Sequence, residues 1–303
     1  MALSGFLHKK TMISLFSLAS LIIFSSIKAI SAPLFSFGMI ADCQYADVET
    51  SESRNYRLSP EKLQEAVNFF ETQSPSFVVH LGDFIDRDWE SYKTVSPIIN
   101  QLSIPLKHVL GNHDFNVAED KKEKVPNMMN LGSRYYQFKH AGFRFVVLDG
   151  NDLSLHAHPK GTESYKKSLE LYETHYSDQK EWNGAIGKEQ LEWLENVLIS
   201  SQSIGEKVII FCHFPVFPEN FHNLWNAKEV LGLLGKYKHV VAYFNGHNHA
   251  GHYGIQSGTH YLTLKGMLME EDNAFSMAEV YEDRIEVYGF GREERRTLKF
   301  NQP

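Results

Sequence analysis

Residues 77–86 read FVVHLGDFID. The first five are a short apolar run with two valines and a phenylalanine, the composition of a buried strand. The chain then turns at once to Gly82-Asp83-Phe84-Ile85-Asp86. Upstream, SPEKLQEAVNFFE (59–71) reads as a helix: Ser59 can cap the first turn, Pro60 suits the first helical position, and Leu63, Ala66, Val67 and Phe70 share one face. Downstream, SYKTVSPIINQL (91–102) is a second helix, broken at Pro97. Outside these lie two more apolar runs, LFSFGMIA (34–41) and KHVL (107–110). A β-α-β-α-β rhythm of this kind implies a parallel core with helices on its faces.

The rest of the chain extends the pattern. YYQF (135–138) and FRFVVLD (143–149) form a hairpin around Gly142, and the polar stretch 151–183 is a long, partly helical connection and a candidate lid. A helix at 188–200, a strand at 207–212, a helix at 226–235 and a strand at 239–245 follow, then short strands at 252–255, 260–264, 275–281 and 284–290. The simplest assembly for 33–303 is a single α/β domain, two packed sheets with helices outside.

Composition narrows the function. The chain has 303 residues, 43% hydrophobic and 22% charged, with 15 His, 2 Cys and a formal net charge of -7. That apolar fraction excludes a disordered chain, two cysteines exclude a disulfide scaffold, and the acidity argues against an electrostatic nucleic-acid binder. Residues 1–32 place His8, Lys9 and Lys10 before an uncharged run from Thr11 to Ile27 and then Ala29-Ile30-Ser31, the layout of a secretory signal peptide, with an uncleaved anchor as the alternative. Cleavage there removes Lys9, Lys10 and Lys28 and no acid, leaving -10 and no stable membrane insertion. The expectation is an exported protein in which Cys43 and Cys212 are nonetheless free.

Chemistry gathers at the strand ends. After the apolar runs come Asp42-Cys43-Gln44, Gly82-Asp83 through Asp86, Gly111-Asn112-His113-Asp114, His213, and Gly246-His247-Asn248-His249. Five polar clusters are thus expected at the C-terminal edge of one sheet, where open α/β folds bind ligands. Carboxylates, imidazoles and two amides suit borderline divalent metals, and seven donors are too many for one tetrahedral site. They suit two adjacent ions that clamp the oxygens of a phosphoryl displacement.

The series Asp-x-Gln, Gly-Asp-x-x-Asp, Gly-Asn-His-Asp, His, Gly-His-x-His resembles that of the calcineurin-like metallophosphoesterases, over roughly residues 35–290. The resemblance implies a four-layer fold, a central β-sandwich of two mixed sheets flanked by helices. It implies one metal held by Asp42, Gln44, Asp83 and His249 and a second by Asp83, Asn112, His213 and His247, with a metal-bridging hydroxide as nucleophile. His113 would contact phosphate and aid the leaving group, Asp114 would orient its ring, and Asp86 would stand behind the ligands.

Gln44 departs from the family's usual His, and a neutral amide favours manganese or magnesium over zinc, with iron also open. Ile40 to Asp47, Asn183-Gly184, Gly246 to Tyr253 and Gly289 to Arg292 are similar to the manganese-dependent ADP-ribose/CDP-alcohol diphosphatase branch. That branch cleaves the phosphoanhydride of small nucleotide-derived diphosphates such as ADP-ribose, CDP-choline or CDP-glycerol. A phosphomonoesterase, a cyclic-nucleotide phosphodiesterase and a non-catalytic scaffold are the rival readings. Tyr45, Phe115, His252, Tyr253 and the aromatics of 151–183 are candidates to stack on a base. His156 and His158 read as solvated, His80 as a satisfied interior histidine, and Met267 and Met269 as packing.

Overall fold

The computed structural model describes Met1 and residues 32–300, so the leader-like segment lies outside the described residues. Residues 32–300 fall within one compact unit. The elements, in chain order, are β1 (Phe35–Ile40), α1 (Ser59–Gln73), β2 (Phe77–His80), α2 (Ser91–Ile99), β3 (Leu106–His108), α3 (Val125–Met128), β4 (Tyr136–His140) and β5 (Phe143–Val147). Then come β6 (Leu153–Ser154), α4 (Glu163–Leu171), β7 (Gly184–Ala185), α5 (Lys188–Ser203), β8 (Lys207–Phe211), α6 (Ala227–Leu234) and β9 (Val240–Asn245). The chain closes with β10 (His252–Gln256), β11 (Thr259–Thr263), β12 (Ala274–Val280), β13 (Arg284–Gly291) and β14 (Arg296–Lys299).

Two mixed six-stranded sheets result, ordered β14-β13-β12-β1-β2-β3 and β10-β11-β9-β8-β5-β4. Side-chain alternation decides how they stack. Phe37, Met39, Phe77 and Val79 from the first sheet meet Phe145, Val147, Phe211 and Phe244 from the second in one buried layer. The intervening residues face outward: Ile40 and Val78 pack under Leu63, Val67 and Phe70 of α1 and Val95 of α2. On the other side Val146, Val208 and Ile210 pack under Leu194 and Leu198 of α5 and Val230 and Leu234 of α6. The order is therefore helices, sheet, sheet, helices, the four-layer sandwich expected.

Several local expectations change. The strand ends that carry the polar clusters do not share one sheet: β1, β2 and β3 belong to the first, β8 and β9 to the second. Parallel pairing within each half looks the same in sequence whichever sheet a strand joins. Pro97 sits inside α2, which runs on to Ile99. Ser59 does not cap α1; it is the first helical residue, buried with an unpartnered hydroxyl, because a short 3-10 turn at Tyr56–Leu58 feeds the helix directly. His80 is interior, but both ring nitrogens lack a hydrogen-bond partner among the described residues. β14 was hidden in a charged tail. Cys43 and Cys212 are free and buried. No described helix is long and apolar enough to cross a membrane.

Candidate metal centre

β1, β2 and β3 are parallel in one sheet and β8 and β9 in the other, and the loops after them meet at one edge, where Asp42 accepts the His247 N–H and Asn112 faces His213. Four residues of those loops, Asp42, Gln44, Asp83 and His247, have φ of 52°, 48°, 56° and 67°. Left-handed backbone at non-glycine residues costs about 1–3 kcal/mol each and collects where side-chain aim matters more than local stability. The flanking glycines permit the crowding. A Cβ on Gly246 would lie 2.7 Å from Asp42 Oδ2, and one on Gly111 would overlap the Asp83 carboxylate.

One group is built around His213. Its Nδ1 donates to the Leu81 carbonyl at 2.9 Å, which leaves Nε2 facing Asn112 Oδ1 at 3.2 Å, His247 Nδ1 at 3.1 Å and Asp83 Oδ2 at 3.2 Å. His247 is locked in the complementary tautomer, since its Nε2 bonds Asn183 Oδ1 at 2.8 Å while Asn183 Nδ2 donates to the Phe221 carbonyl. Four lone-pair atoms therefore point at one place, separated by about the 3 Å that neighbouring ligands of a metal with ~2.0–2.2 Å bonds would show. Such a cluster requires a cation. Without a metal the only available one is a proton: burial pulls the His213 pKa down, but the Asp83 charge outweighs it and the net shift is up to about 9. Burial first, then the His213 charge, hold His247 well below its ordinary value, the neutral form a ligand needs.

A second group lies beside it. Ligand atoms of Asp42, Asp83 and His249 fall within 4.8 Å of one another, as do those of Asp83, His213 and His247, so Asp83 is common to both. Asp42 Oδ1 accepts the His247 N–H at 3.0 Å, and its Oδ2 is buried without a partner, as is Gln44 Oε1, while Asp83 Oδ2 has only the His213 ring nitrogen at 3.2 Å. Burial, and the repulsion of Asp83 beyond it, push Asp42 up to about 7. Burial and then the nearby Arg54 charge hold His249 down at about 3. Two orphaned buried acceptors, a carboxylate shared with the His213 group and a neutral imidazole fit a divalent ion with oxygen and nitrogen ligands.

Asp86 organises the approach. Its Oδ1 lies 2.9 Å from both Gln44 Nε2 and His113 Nδ1, and its Oδ2 accepts from Arg87 at 2.8 Å. The first bond turns Gln44 Oε1 away from Asp86, and the second leaves His113 Nε2 to the cavity. The expectation that Asp114 orients the His113 ring is thereby corrected. The Asp114 carboxylate instead accepts the backbone N–H groups of Asp83, Phe84 and Gly111 at 3.1, 2.8 and 2.8 Å, tying the β2 loop to the β3 loop. His113 N–H in turn donates to Asp83 Oδ1 at 2.8 Å.

A cavity of about 670 Å³ opens over both groups, within the range that takes drug-sized ligands. The 151–183 connection forms one wall through Leu155, His156, Glu181 and Trp182. His156 is consequently not solvated: it is half-buried, with Nε2 on Asn151 Oδ1 at 2.8 Å, and His158 bonds the Asp152 carbonyl. Of the stacking candidates, Phe115 and Trp182 line the cavity. Tyr45 packs with the α1 and α2 core and Tyr253 against His260 and Arg296, neither of them in the cavity wall. Sequence reasoning gave no role to Asn183, Arg54 or His222. Only Asn183 carried a signal, in the quoted Asn183-Gly184 pair.

Residues 35–251 match the calcineurin-like phosphoesterase family. The manganese-dependent ADP-ribose/CDP-alcohol diphosphatase of Xenopus laevis is 31% identical, covering 91% of this chain and 93% of its own length. The protein of the same name from Oryza sativa is 34% identical over 85% and 91%. Among solved structures, a dimetal phosphatase from Danio rerio superposes with a TM-score of 0.80 at 32% identity, covering 89% of this chain and all of that one. A fold match over most of the domain, together with identity across nearly the full length, leads to one conclusion: the chain belongs to the calcineurin-like phosphoesterase family.

Proposed function

We propose that the protein hydrolyses the phosphoanhydride of nucleoside diphosphate-linked compounds of the ADP-ribose and CDP-alcohol type, using manganese. The observation that carries this reading is near-full-length likeness to proteins named for that activity, by a chain whose Gln44 amide is aimed by Asp86. When bound, two divalent ions supply charge neutralisation for phosphate oxygens and acidify the attacking water. Asp42, Gln44, Asp83 and His249 would hold one; Asp83, Asn112, His213 and His247 would hold the other. Asp86 presents His113 with Nδ1 engaged, so Nε2 meets the substrate as a proton donor to the departing oxygen. Burial lowers the His113 pKa, but Asp83 and Asp86 outweigh it and raise the net value, which favours the protonated form that role requires. The acidic surface repels a dianion at long range, so attraction comes from inside the cavity.

The test is hydrolysis by the manganese-loaded protein of ADP-ribose, CDP-choline, p-nitrophenyl phosphate and a cyclic nucleotide, with products separated. Cleavage of the first two to a nucleoside monophosphate and a phosphorylated partner is expected. Faster cleavage of the monoester or the cyclic nucleotide would replace this reading with a rival phosphatase, and no turnover with both metals bound would leave a scaffold. We also propose export through residues 1–32. N-terminal sequencing of the protein from an extracytoplasmic fraction should begin near Ala32, and an intact Met1 there would reject cleavage.

A further inference from the structure

The described residues include nine arginines, and their partners set one apart. Arg57, Arg87, Arg134, Arg144, Arg284 and Arg296 each hold a carboxylate. Arg292 donates to the Gly266 and Asp272 carbonyls, and Arg295 lies over the Tyr288 ring. Arg54 does none of these. Half-buried in the wall of the main cavity, its guanidinium has no hydrogen-bond, ion-pair or aromatic partner among the described residues. It shares that wall with His249 and His222, and its backbone bridges Met269, the end of the stretch whose Gly266 and Leu268 N–H groups donate to the His249 and Asp42 carbonyls at 3.1 and 3.0 Å, which sets it on the Asp42/Gln44/His249 side of the centre.

The backbone that carries it is fixed. Ser51 and Arg54 exchange N–H to carbonyl bonds of 3.2 and 3.0 Å, and Glu270 N–H donates to the Ser53 carbonyl at 2.6 Å. A rigid turn thus presents an unpaired cation to the cavity. A half-buried guanidinium with no carboxylate beside it keeps its N–H donors free for an anionic ligand that enters the cavity. Of the acids in the same wall, Glu119 is taken by Lys122 at 2.9 Å, and neither Glu181 nor Asp83 forms an ion pair with Arg54. A planar fork of N–H donors matches phosphate oxygens bidentately.

We propose that Arg54 binds the second phosphoryl group of a diphosphate substrate, the one that departs, and so sets the preference for phosphoanhydrides over esters with a single phosphoryl group. The inference rests on the diphosphatase reading and names the residue that makes it selective. In the hydrolysis, the oxygen of water bonds to one phosphorus and the bond from that phosphorus to the bridging oxygen breaks. The electron pair stays on the bridging oxygen, so negative charge grows on the departing phosphate until His113 Nε2 gives that oxygen its proton; of the two protons of water, one restores His113 and the other passes to solvent. Arg54 takes no part in the proton transfers and donates to the departing phosphate as its charge grows.

The experiment uses the full chain loaded with manganese, as wild type, Arg54→Ala, Arg54→Gln and Arg54→Lys. It reads kcat/KM on ADP-ribose, CDP-choline and p-nitrophenyl phosphate, inhibition by imidodiphosphate and by inorganic phosphate, bound manganese and melting temperature. Losing a hydrogen-bonded charge contact is expected to lower kcat/KM for the two diphosphates by roughly 10- to 100-fold more than for the monoester. The inhibition constant for imidodiphosphate should rise by a similar factor, that for phosphate should not follow it, and Lys should recover part of both. A parallel fall on all three substrates, or an unmoved imidodiphosphate constant, overturns the proposal. So does a loss of manganese or of melting temperature that accounts for the fall in every variant. Failure of the diphosphatase reading looks different: the wild type itself leaves ADP-ribose and CDP-choline intact, while imidodiphosphate inhibition still reports on Arg54.

Discussion

Replacing Asp86 should separate metal positioning from proton donation. Its carboxylate is 3% exposed at the side chain and takes the Gln44 amide and the His113 imidazole on the same oxygen, each at 2.9 Å. Asp86→Ala removes both contacts. Hydrogen bonds to a charged group contribute about 1.5–3 kcal/mol each, and loss of a partner that aims a metal ligand commonly costs about 10- to 100-fold in affinity or rate. A Gln44 amide released from Asp86 can turn its NH2 towards the cation, which abolishes its use as a ligand. We therefore expect roughly 10- to 100-fold weaker manganese binding at the Asp42/Gln44/His249 group and a fall in kcat of at least that size. Asp86→Asn keeps an oxygen for both donors, so Gln44 stays aimed, but the negative charge beside His113 is gone. Asp86 is one of the groups that raise the His113 pKa, so its neutralisation lowers that pKa. A general acid loses activity as pH rises through its pKa, and the alkaline limb of the pH-rate profile should move to lower pH. Manganese titration and pH-rate curves on both variants provide the assay. Wild-type metal affinity in Asp86→Ala together with an unshifted limb in Asp86→Asn would refute this account of Asp86.

Asn183→Ala removes the acceptor that fixes the His247 tautomer; manganese titration should show affinity at the His213 group about 10- to 100-fold weaker with the fold retained, and an unaltered isotherm would deny Asn183 that part. Gln44→His replaces an amide with an imidazole, so the ratio of zinc- to manganese-supported turnover should rise, and an unchanged metal and substrate profile counts against Gln44 as a ligand. In chelated protein the raised His213 pKa gives stability that is complete below about pH 6.5 and lost as pH climbs through about 9, and the raised Asp42 pKa, lost through about 7, has the same sign. The melting temperature of metal-free protein should accordingly fall between pH 7 and 9.5 while that of manganese-loaded protein holds. A flat metal-free curve would contradict the buried proton.

What the sequence exposes and what it hides divide along a physical line. Strand cores and the α1 face were legible because burial imposes a period, as at Phe37/Met39 or Leu63/Val67/Phe70. Donor residues were legible because they sit at strand ends, where chemistry is placed on rigid elements. Sheet membership was not, since β2 and β8 are both short apolar runs before a polar loop, and only long-range pairing says that one follows β1 and the other β5. Partnership among polar side chains was hidden for the same reason. Asp114 follows His113 directly, yet adjacent residues of a 3-10 turn aim apart, and the carboxylate that reaches the ring comes from the β2 loop.

The exchange of Asp114 for Asp86 also explains how the site tolerates its own geometry. Left-handed backbone at Asp42, Gln44, Asp83 and His247 favours relaxation of the loops, and relaxation of any one would spread the converging lone pairs. Asp114 opposes this by holding three backbone N–H groups of two loops on one buried carboxylate, and Asp42 does the same across the sandwich by accepting the His247 N–H. Each clamp is itself a buried acid that repels Asp83, and burial followed by that repulsion pushes Asp114 up to about 7. The loops are thus held by groups that prefer a nearby cation. Filling the centre with metal relieves the repulsion that the clamps create, so metal binding and loop rigidity should rise together. Amide hydrogen exchange offers the check: manganese should slow exchange at Asp83, Phe84, Gly111 and His247 N–H more than in the helices, and uniform slowing would place the stabilisation elsewhere.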